Sequence, residues 1–373
     1  MRYLALEAGI LLLATLVRLW GLGAQPLWLD EAFSHLFATL PPGIAWQAVI
    51  ADAVHPPLYY VLLRPWLVLV GQSEFALRFS SVLAGVLAVA LVLRAGWTWM
   101  DRRIARWGAL LMALNPFHVW YSQEGRMYAL LALLALAGMM AFCRALDSGR
   151  PWAWGGLIGV SALAYLTHYF ALYLPLVEFA FLLATFGRHH RVLARWAVAQ
   201  ALSVLPLAAW LTALYTIGGG TFGIGWIPRP RLADLLRTLW SFGMAYDGRV
   251  TSLVVAGLLI WGGLSAWGAW GGRSRRRGRA LLWLALALPP LVTFLLSLRR
   301  PTYVDRFFIG SLPACVLLAA AGLARLPRPA GWTVGLALAG LCLGGVGRFR
   351  ADPLFVMEDW RGAAAYSEAR EAV

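Results

Sequence analysis

Apolar runs of about 17 to 22 residues, long enough for an α-helix to cross a hydrocarbon layer of about 30 Å, recur along the whole chain. Short polar segments separate them. The runs lack the strict apolar and polar alternation of strands in a transmembrane barrel. The pattern therefore predicts an all-α polytopic membrane protein of about eleven transmembrane helices. The predicted spans lie at roughly 5–22, 78–98, 104–120, 127–146, 152–168, 170–187, 195–215, 251–270, 280–298, 307–325 and 331–347.

The segment LYYVLLRPWLVLV at 58–70 decides the topology. As a helix it would span only about 20 Å, and it contains Arg64 and Pro65. Counting it as a crossing would move the arginine-rich loops that follow to the external side, against the positive-inside rule. We interpret it as a juxtamembrane helix, interfacial or re-entrant, of the first external loop, 23–77. The N-terminus is then cytoplasmic and the C-terminus external.

Composition supports a membrane protein, because 61% of the residues are hydrophobic and only 13% are charged. The net charge of +15 comes from arginine alone, since the chain contains no lysine. The arginines are scattered between apolar runs, which fits membrane topology and gives no soluble basic face for nucleic acid. The three cysteines fall in or beside predicted spans without metal-ligand spacing, and we interpret them as core residues.

Two adjacent carboxylates, Asp30 and Glu31, directly follow the first predicted span in LWLDEAFSH. Acids favour the first turn of a helix, so a helix-capping role is one interpretation. A carboxylate pair is costly beside hydrocarbon, however, and a chain this apolar rarely places one there without using it. One carboxylate can act as a general base while the other holds a substrate or tunes its neighbour's pKa. We predict that Asp30 and Glu31 are catalytic.

Arginines that begin spans on the external side are candidates for anion binding. Arg78, Arg126 and Arg306 oppose the positive-inside trend, and a cation at a helix start also opposes the helix dipole. We therefore expect an anion to compensate them. A phosphate fits, because guanidinium offers bidentate donors and stays charged. For Arg306 the alternative is a salt bridge to Asp305.

Other candidate residues lie in external turns. In DAVHPPLYY, two prolines fix the backbone, so we assign His55 and Tyr59 to the phosphate or lipid site, with a plain turn as the alternative. The substrate-site candidates come from NPFHVWYSQEGRMY and LTHYF, where solvated-turn or packed roles are the alternative: Gln123, Glu124, Tyr128, His168 and Tyr169. The histidine spacing matches no compact metal-ligand motif, so we assign no metal ligands, and a divalent metal remains the weaker alternative.

The segment 216–250 is Gly- and Pro-punctuated and too long for a simple connection. We expect it to be an external loop that closes over a bound substrate and excludes water. The tail 351–373 is too short for a separate domain. The expected organisation is a membrane domain at 1–350 followed by this short external tail.

The segments LDEAFS, HPPLYY, SEFALRF, NPFHVWYSQEGRMYAL and VDRFF, in this order and on one face, resemble the bacterial relatives of protein O-mannosyltransferases and of the lipid A aminoarabinose transferase. These are GT-C-fold glycosyltransferases that use polyprenyl-phosphate sugars. The resemblance is strong over roughly 1–187 and weaker beyond. It implies a GT-C-like domain with a helical first external loop.

The resemblance also implies roles for residues. The family's catalytic carboxylate corresponds to Asp30, with Glu31 beside it. Some relatives place a lysine at the lipid phosphate, and without lysine that role would pass to Arg126, Arg306 or Arg78. The chain lacks the family's soluble appendages, so the acceptor, whether glycan, lipid or protein, is left open.

The implied function is inverting transfer of a hexose or pentose from a polyprenyl-phosphate donor to an acceptor hydroxyl, with Asp30 as general base and no required cofactor. The expected location is the external, periplasmic face of a bacterial inner membrane. The alternatives are a transporter or flippase for a lipid-linked sugar, against which the chain shows no inverted repeat, and a noncatalytic subunit of a glycan-assembly complex.

Overall fold

The computed structural model describes residues 2–185, 192–217, 225–245, 252–269 and 276–356, together with a few residues beyond 361. Every regular element in these ranges is helical. The α-helices are α1 (Arg2–Leu19), α2 (Leu29–Thr39), α3 (Pro42–Asp52), α4 (Leu58–Val70), α5 (Glu74–Trp99), α6 (Arg102–Leu114), α7 (Pro116–Ser122), α8 (Tyr128–Ser148), α9 (Pro151–Thr167), α10 (Tyr173–Ala184), α11 (Leu193–Ile217), α12 (Leu232–Met244), α13 (Ser252–Ala269), α14 (Arg276–Ser297), α15 (Leu312–Leu323) and α16 (Arg328–Ala351). Short 3-10 turns cover Tyr169–Leu172, Asp305–Ser311 and Pro353–Phe355.

The predicted spans coincide with α1, α5 to α11 and α13 to α16. In the described ranges, 6 segments are long and apolar enough to cross a bilayer: Glu74–Trp99, Tyr128–Ser148, Leu193–Ile217, Arg277–Ser297, Asp305–Leu323 and Arg328–Ala351. Shorter apolar helices accompany them. The prediction of an all-α, multi-pass membrane protein is confirmed, whereas the full number of crossings stays a prediction.

The predicted span 104–120 is broken at Asn115, where α6 ends and α7 begins. Pro116 has no N–H for the carbonyl of Met112, one turn earlier. The buried Arg18 of α1 replaces the missing donor. Its Nη2 donates to that carbonyl (3.2 Å), and its Nη1 donates to the carbonyl of Ala113 (2.9 Å). The Asn115 side chain then caps α7. The break aims α7 and the turn after it toward the start of the first loop.

The first external loop is helical, as expected, and the segment 58–70 coincides with α4. Two further helices, α2 and α3, precede it. Phe37 of α2 packs edge-on against Tyr60 of α4, with ring centroids 5.2 Å apart. Arg64 points back to α2, where its Nη1 donates to the carbonyl of Leu40 (2.6 Å). The charged residue that made 58–70 a poor crossing thus caps a neighbouring helix.

The segment 216–250, predicted to be an external loop, contains a helix, because residues 232–244 form α12. Apolar residues recur at Leu232, Leu235, Leu239 and Phe242, the spacing of an amphipathic helix. The carboxylate of Asp234 accepts from the backbone N–H just before the helix (2.7 Å). The glycine-rich part at 218–224 and residues 246–251 lie outside the described residues.

Small residues allow the helices at the centre of the bundle to approach closely, as is common between membrane helices. A Cβ added to Gly96 of α5 would lie 2.5 Å from the Cα of Ala105 in α6. Gly268 of α13 and Gly322 of α15 likewise face backbone atoms of the opposite helix. These close contacts lie near the C-terminal ends of α5, α13 and α15.

Candidate active site

Four segments meet at the candidate active site: the start of α2, the turn between α7 and α8, the turn after α9, and the 3-10 turn at Asp305–Ser311. Arg126 reaches the backbone of Asp30, with Nη1 to carbonyl oxygen at 3.0 Å. The ring of His168 lies 5.0 Å from that of Phe307, centroid to centroid. Arg306 lies over the ring of Tyr128. Residues far apart in sequence are therefore brought together, as the sequence predicted.

Glu31 and Arg78 form a buried ion pair whose side chains are only 1% and 5% exposed. Arg78 donates Nε to Oε1 (2.8 Å) and Nη2 to Oε2 (2.6 Å) of Glu31. Its other three N–H groups go to the carbonyls of Leu22, Gln25 and Pro26. All five N–H groups of Arg78 are thus committed within the protein. This corrects the expectation that Arg78 binds a phosphate.

The carboxylate of Glu31 also accepts two backbone N–H groups, from Gly125 (2.7 Å) and from Trp28 (3.4 Å). It therefore joins the start of α2 to α5 and to the turn before α8. The helix-start interpretation fits Glu31, which receives the Trp28 N–H one turn back. Four donors thus hold the carboxylate of Glu31 in place, and its catalytic role stays a prediction.

The carboxylate of the neighbouring Asp30 differs from that of Glu31 in its exposure and in its hydrogen bonding. Its side chain is half-buried, and in the described part of the chain its carboxylate takes part in no hydrogen bond and no ion pair. The charges of Arg126 and Arg306 both act on it. Asp30 thus combines a cationic environment with unoccupied lone pairs, the arrangement a general base requires.

Arg126 is buried and held by the first loop. Its Nη1 donates to the Asp30 carbonyl, to the hydroxyl of Ser34 (3.0 Å) and to that of Tyr60 (3.4 Å). Its Nη2 donates to Nδ1 of His55 (3.2 Å), which leaves the proton of that ring on Nε2. Nε of Arg126 is buried without a partner. The guanidinium is therefore fixed in place with an N–H still free.

Arg306 is half-buried among aromatic rings, with its guanidinium carbon 5.7 Å from the ring centroid of Tyr128 and 5.8 Å from that of Trp226. In the described ranges its guanidinium has no hydrogen bond and no ion pair. The alternative of a salt bridge to Asp305 is wrong, because that carboxylate accepts from Ser241 (2.7 Å) and from the Arg306 backbone N–H (2.8 Å). Within the described part of the chain, Arg306 is thus a cation without a counter-ion.

Glu124 lies between these groups and is only 3% exposed. Its Oε2 is buried without a hydrogen-bond partner. Burial, and then the charge of Glu31, raise the pKa of Glu124 to about 8, against the opposing effect of Arg306 and Arg126. At neutral pH Glu124 is therefore mostly protonated and can donate a hydrogen bond.

Two neutral histidines complete the wall of the site. Burial first, and then Arg126 and Arg306, lower the pKa of His168 to about 3. Burial first, and then the charge of Arg126, hold the pKa of His55 well below its usual value. Nδ1 of His168 accepts from the backbone N–H of Phe170 (3.2 Å), so Nε2 carries the proton, and that nitrogen has no partner. His168 therefore offers a neutral N–H donor.

The other predicted residues divide into supporting and lining positions. Gln123 donates Nε2 to the carbonyl of Arg18 (2.7 Å) and so caps the end of α1. The hydroxyl of Tyr169 accepts from Nε1 of Trp210 (3.0 Å). Tyr59 is buried beside Tyr60, and the buried hydroxyl of Tyr128 has no partner beneath Arg306.

Sequence reasoning missed Ser34 and Tyr60, the two hydroxyl residues that hold Arg126. Ser34 lies one helical turn after Asp30, so a helix drawn through LDEAFS would have placed both on one face. It also missed Asp52. Burial raises the pKa of this carboxyl, against the opposing effect of the Arg126 charge.

An apolar groove of about 620 Å³ runs between α12, α13 and α14. Its walls carry large apolar side chains, among them Leu236, Leu239, Leu259 and Trp283. Thr238 also lines it, and its hydroxyl is hydrogen-bonded to that of Tyr303 (2.6 Å). Since Tyr303 and Ser241 both attach α12 to the turn that carries Arg306, the groove has its polar end beside the site.

Residues 54–215 match the family model of dolichyl-phosphate-mannose-protein mannosyltransferases. This range contains Arg126 and His168, whereas Asp30 and Arg306 lie outside it. No curated protein matches the chain in sequence.

Solved structures extend the likeness to the rest of the chain. ArnT from Cupriavidus metallidurans superposes with a TM-score of 0.65 and 17% identity in the apo state, over 90% of this chain and 62% of ArnT. The chain has the GT-C fold. ArnT bound to undecaprenyl phosphate gives the same TM-score at 18% identity, over 93% of this chain and 65% of ArnT. This GT-C protein resembles ArnT and the O-mannosyltransferases.

The archaeal oligosaccharyltransferase AglB from Archaeoglobus fulgidus, in complex with an inhibitory peptide and a dolichol-phosphate, also has this GT-C architecture. Its TM-score is 0.59 at 13% identity, over 91% of this chain and 55% of AglB. The chain thus spans between 55% and 65% of the length of these structures.

Proposed function

We propose that this protein is a membrane glycosyltransferase that moves a hexosyl or pentosyl group from a polyprenyl-phosphate donor to an acceptor hydroxyl. The observation that carries the proposal is the carboxylate of Asp30, unpaired among the described residues, in the field of two cations, one of which, Arg306, has no counter-ion among those residues either. The family match and the undecaprenyl phosphate bound to ArnT support the same donor class.

The donor phosphate binds at Arg306 and Arg126. Arg306 supplies an uncompensated charge, and Arg126 supplies its free Nε–H. His168 adds a neutral N–H donor. Burial makes these contacts stronger than they would be in water, and the phosphate replaces the solvation that the two cations lose. The charge of a lipid monophosphate is thus neutralised by side chains, so the proposed reaction requires no metal ion.

The prenyl chain lies in the apolar groove between α12, α13 and α14. Its polar end is at Tyr303 and Asp305, next to Arg306, and its wall residues Leu236 and Leu259 are 70% and 72% exposed. Exposed leucines beside a groove are expected where lipid replaces water as the neighbour.

The transfer is a single inverting displacement. Asp30 accepts the proton of the acceptor hydroxyl as its oxygen attacks the anomeric carbon, and the bond from that carbon to the phosphate oxygen breaks. Polyprenyl phosphate leaves with the bonding electrons, and Arg306 and Arg126 stabilise its added negative charge. Glu31, held by Arg78, keeps the start of α2 in position.

We place the site on the external, periplasmic face of a bacterial inner membrane, with the N-terminus in the cytoplasm. The ion pairs Glu7–Arg106 and Asp147–Arg277 lie at the opposite ends of the same helices, where the arginine-rich loops are. That distribution agrees with the positive-inside rule.

The test is release of lipid phosphate. Purified protein in lipid nanodiscs is incubated with a panel of polyprenyl-phosphate sugars and an extract of cell-envelope glycans and lipids, and products are identified by mass spectrometry. We expect one donor to release polyprenyl phosphate, and Asp30→Asn to abolish the release. A transporter or a noncatalytic subunit would bind a donor without releasing lipid phosphate.

A further inference from the structure

A second, small cavity of about 40 Å³ adjoins the candidate active site. Its walls come from the segment after α1, from Arg78 of α5, from α7 and the turn after it, and from the end of α16 with the 3-10 turn that follows. Besides Arg78, four polar residues face it: Gln25, Gln123, Glu124 and Arg350. Trp120 and Phe355, whose rings pack 5.7 Å apart, form its apolar side.

Only some of the N–H donors of Arg350 in this cavity have hydrogen-bond acceptors. Its Nη1 donates to the carbonyl of Gly21 (3.0 Å). Its Nε and Nη2 are buried and have no hydrogen-bond partner among the residues that the structure describes. A basic residue in the last turn of a helix complements the helix dipole, but that role does not require N–H groups buried away from water. Two strong donors are thus left open toward the cavity.

Glu124 faces Arg350 across the same space. It is 97% buried, since its exposed fraction is 3%, and its Oε2 has no partner. No ion pair joins it to Arg350 in the described part of the chain. The raised pKa of Glu124, about 8, makes it a hydrogen-bond donor at neutral pH. The cavity therefore presents unsatisfied donors and a positive charge, which an oxyanion would satisfy.

Size supports a small oxyanion. A cavity needs about 10–15 Å³ to hold one water molecule, so this one holds about three waters or the end of a carboxylate or phosphate group. The rim includes the exposed Gly21, which leaves room for the rest of a larger molecule outside. The other arginine in the wall, Arg78, is already neutralised by Glu31.

We propose that this cavity is the acceptor subsite, and that it binds an oxyanion carried by the acceptor close to the hydroxyl that receives the sugar. This inference rests on the proposed function. The donor phosphate already has Arg306 and Arg126 beside the groove. Glu124 separates that site from the cavity and interacts electrostatically with Asp30. An acceptor anchored at Arg350 therefore lies next to the proposed base and opposite the donor.

The anion site is tested directly with inorganic phosphate. Binding is measured by isothermal titration calorimetry on the purified protein in an Arg306→Gln background, which weakens the donor-phosphate site. Adding Arg350→Gln should weaken binding about tenfold or more, as expected for lost charge-assisted hydrogen bonds. The matched control Arg299→Gln removes an exposed arginine and should leave binding unchanged. Equal phosphate affinity with and without Arg350 would overturn the assignment.

If the Arg350→Gln variant does not fold, the phosphate titration is repeated with Arg350→Lys. It keeps the charge and loses the fork of donors, so phosphate binding should fall less than tenfold but measurably below that of the Arg299→Gln control. Wild-type affinity in Arg350→Lys would also count against the site.

Matched acceptors then test the acceptor role, using the donor identified by lipid-phosphate release. The pairs are methyl glucoside with methyl glucuronide, and propanediol with its monophosphate. We expect faster transfer to the anionic member of a pair, and a ratio of rates that falls toward one in Arg350→Gln. Equal rates within both pairs would overturn this inference while lipid-phosphate release still supports the proposed function. No release from any donor would overturn the proposed function, and the phosphate titration would still decide the anion site.

Discussion

Replacing Arg78 with methionine should destabilise the protein strongly, because Arg78 holds a buried carboxylate and three backbone carbonyls. The change removes five hydrogen bonds and leaves Glu31, 1% exposed, with only two backbone N–H partners. Removing one partner of a buried ion pair costs about 3–5 kcal/mol, which is a large share of a typical folding free energy. The expected effect is therefore on stability, with donor affinity per folded molecule nearly unchanged.

The assay is thermal and denaturant unfolding in detergent, with Arg64→Met as the matched control. Arg64 makes one hydrogen bond, to the Leu40 carbonyl, so its loss should cost only about 1 kcal/mol. Adding Glu31→Gln to Arg78→Met removes the stranded charge and should recover part of the stability. Equal stability of Arg78→Met and Arg64→Met, together with lost donor binding, would refute the reasoning and restore Arg78 as a phosphate ligand.

Three further outcomes are expected. Asp30→Asn should lower turnover by roughly 10²-fold or more with an unchanged unfolding temperature, and near-normal turnover would exclude Asp30 as the base. Arg306→Gln should weaken donor binding roughly tenfold to a hundredfold in a lipid-binding assay, whereas Arg299→Gln should not. Donor affinity should be steady from pH 6 to 7 and fall above about pH 8 as Glu124 ionises and repels the phosphate, and Glu124→Gln should flatten this profile. A fall that persists in Glu124→Gln would assign the titration to another group.

The helices were predictable from sequence because their apolar runs are long and nearly continuous. The break at Asn115 was less visible, since the apolar pattern continues through Pro116 and only the missing N–H interrupts the helix. Helix α12 was obscured by the glycines and prolines that precede it and by the glycine at 248 that follows it, which outweighed its own amphipathic spacing. Local composition thus misled where a short helix lies between irregular segments.

The site was partly predictable. Asp30, Arg126 and Arg306 were found because charges at span ends conflict with the topology. The difference between these arginines and Arg78 was not predictable. The guanidinium of Arg78 is satisfied by three carbonyls and a carboxylate from another part of the chain. Only tertiary contacts distinguish a neutralised arginine from one that still lacks its anion.

Arg18 ties the first helix to the turn that carries Arg126. It donates to the Met112 carbonyl in place of the N–H that Pro116 lacks, and also to the Ala113 carbonyl, so α1 is a structural part of the break between α6 and α7. Chimaeras with relatives must therefore exchange α1 together with α6 and α7. A fragment confined to residues 54–215 would expose two unbonded carbonyls in its interior and would separate Arg126 from the helix that supports it.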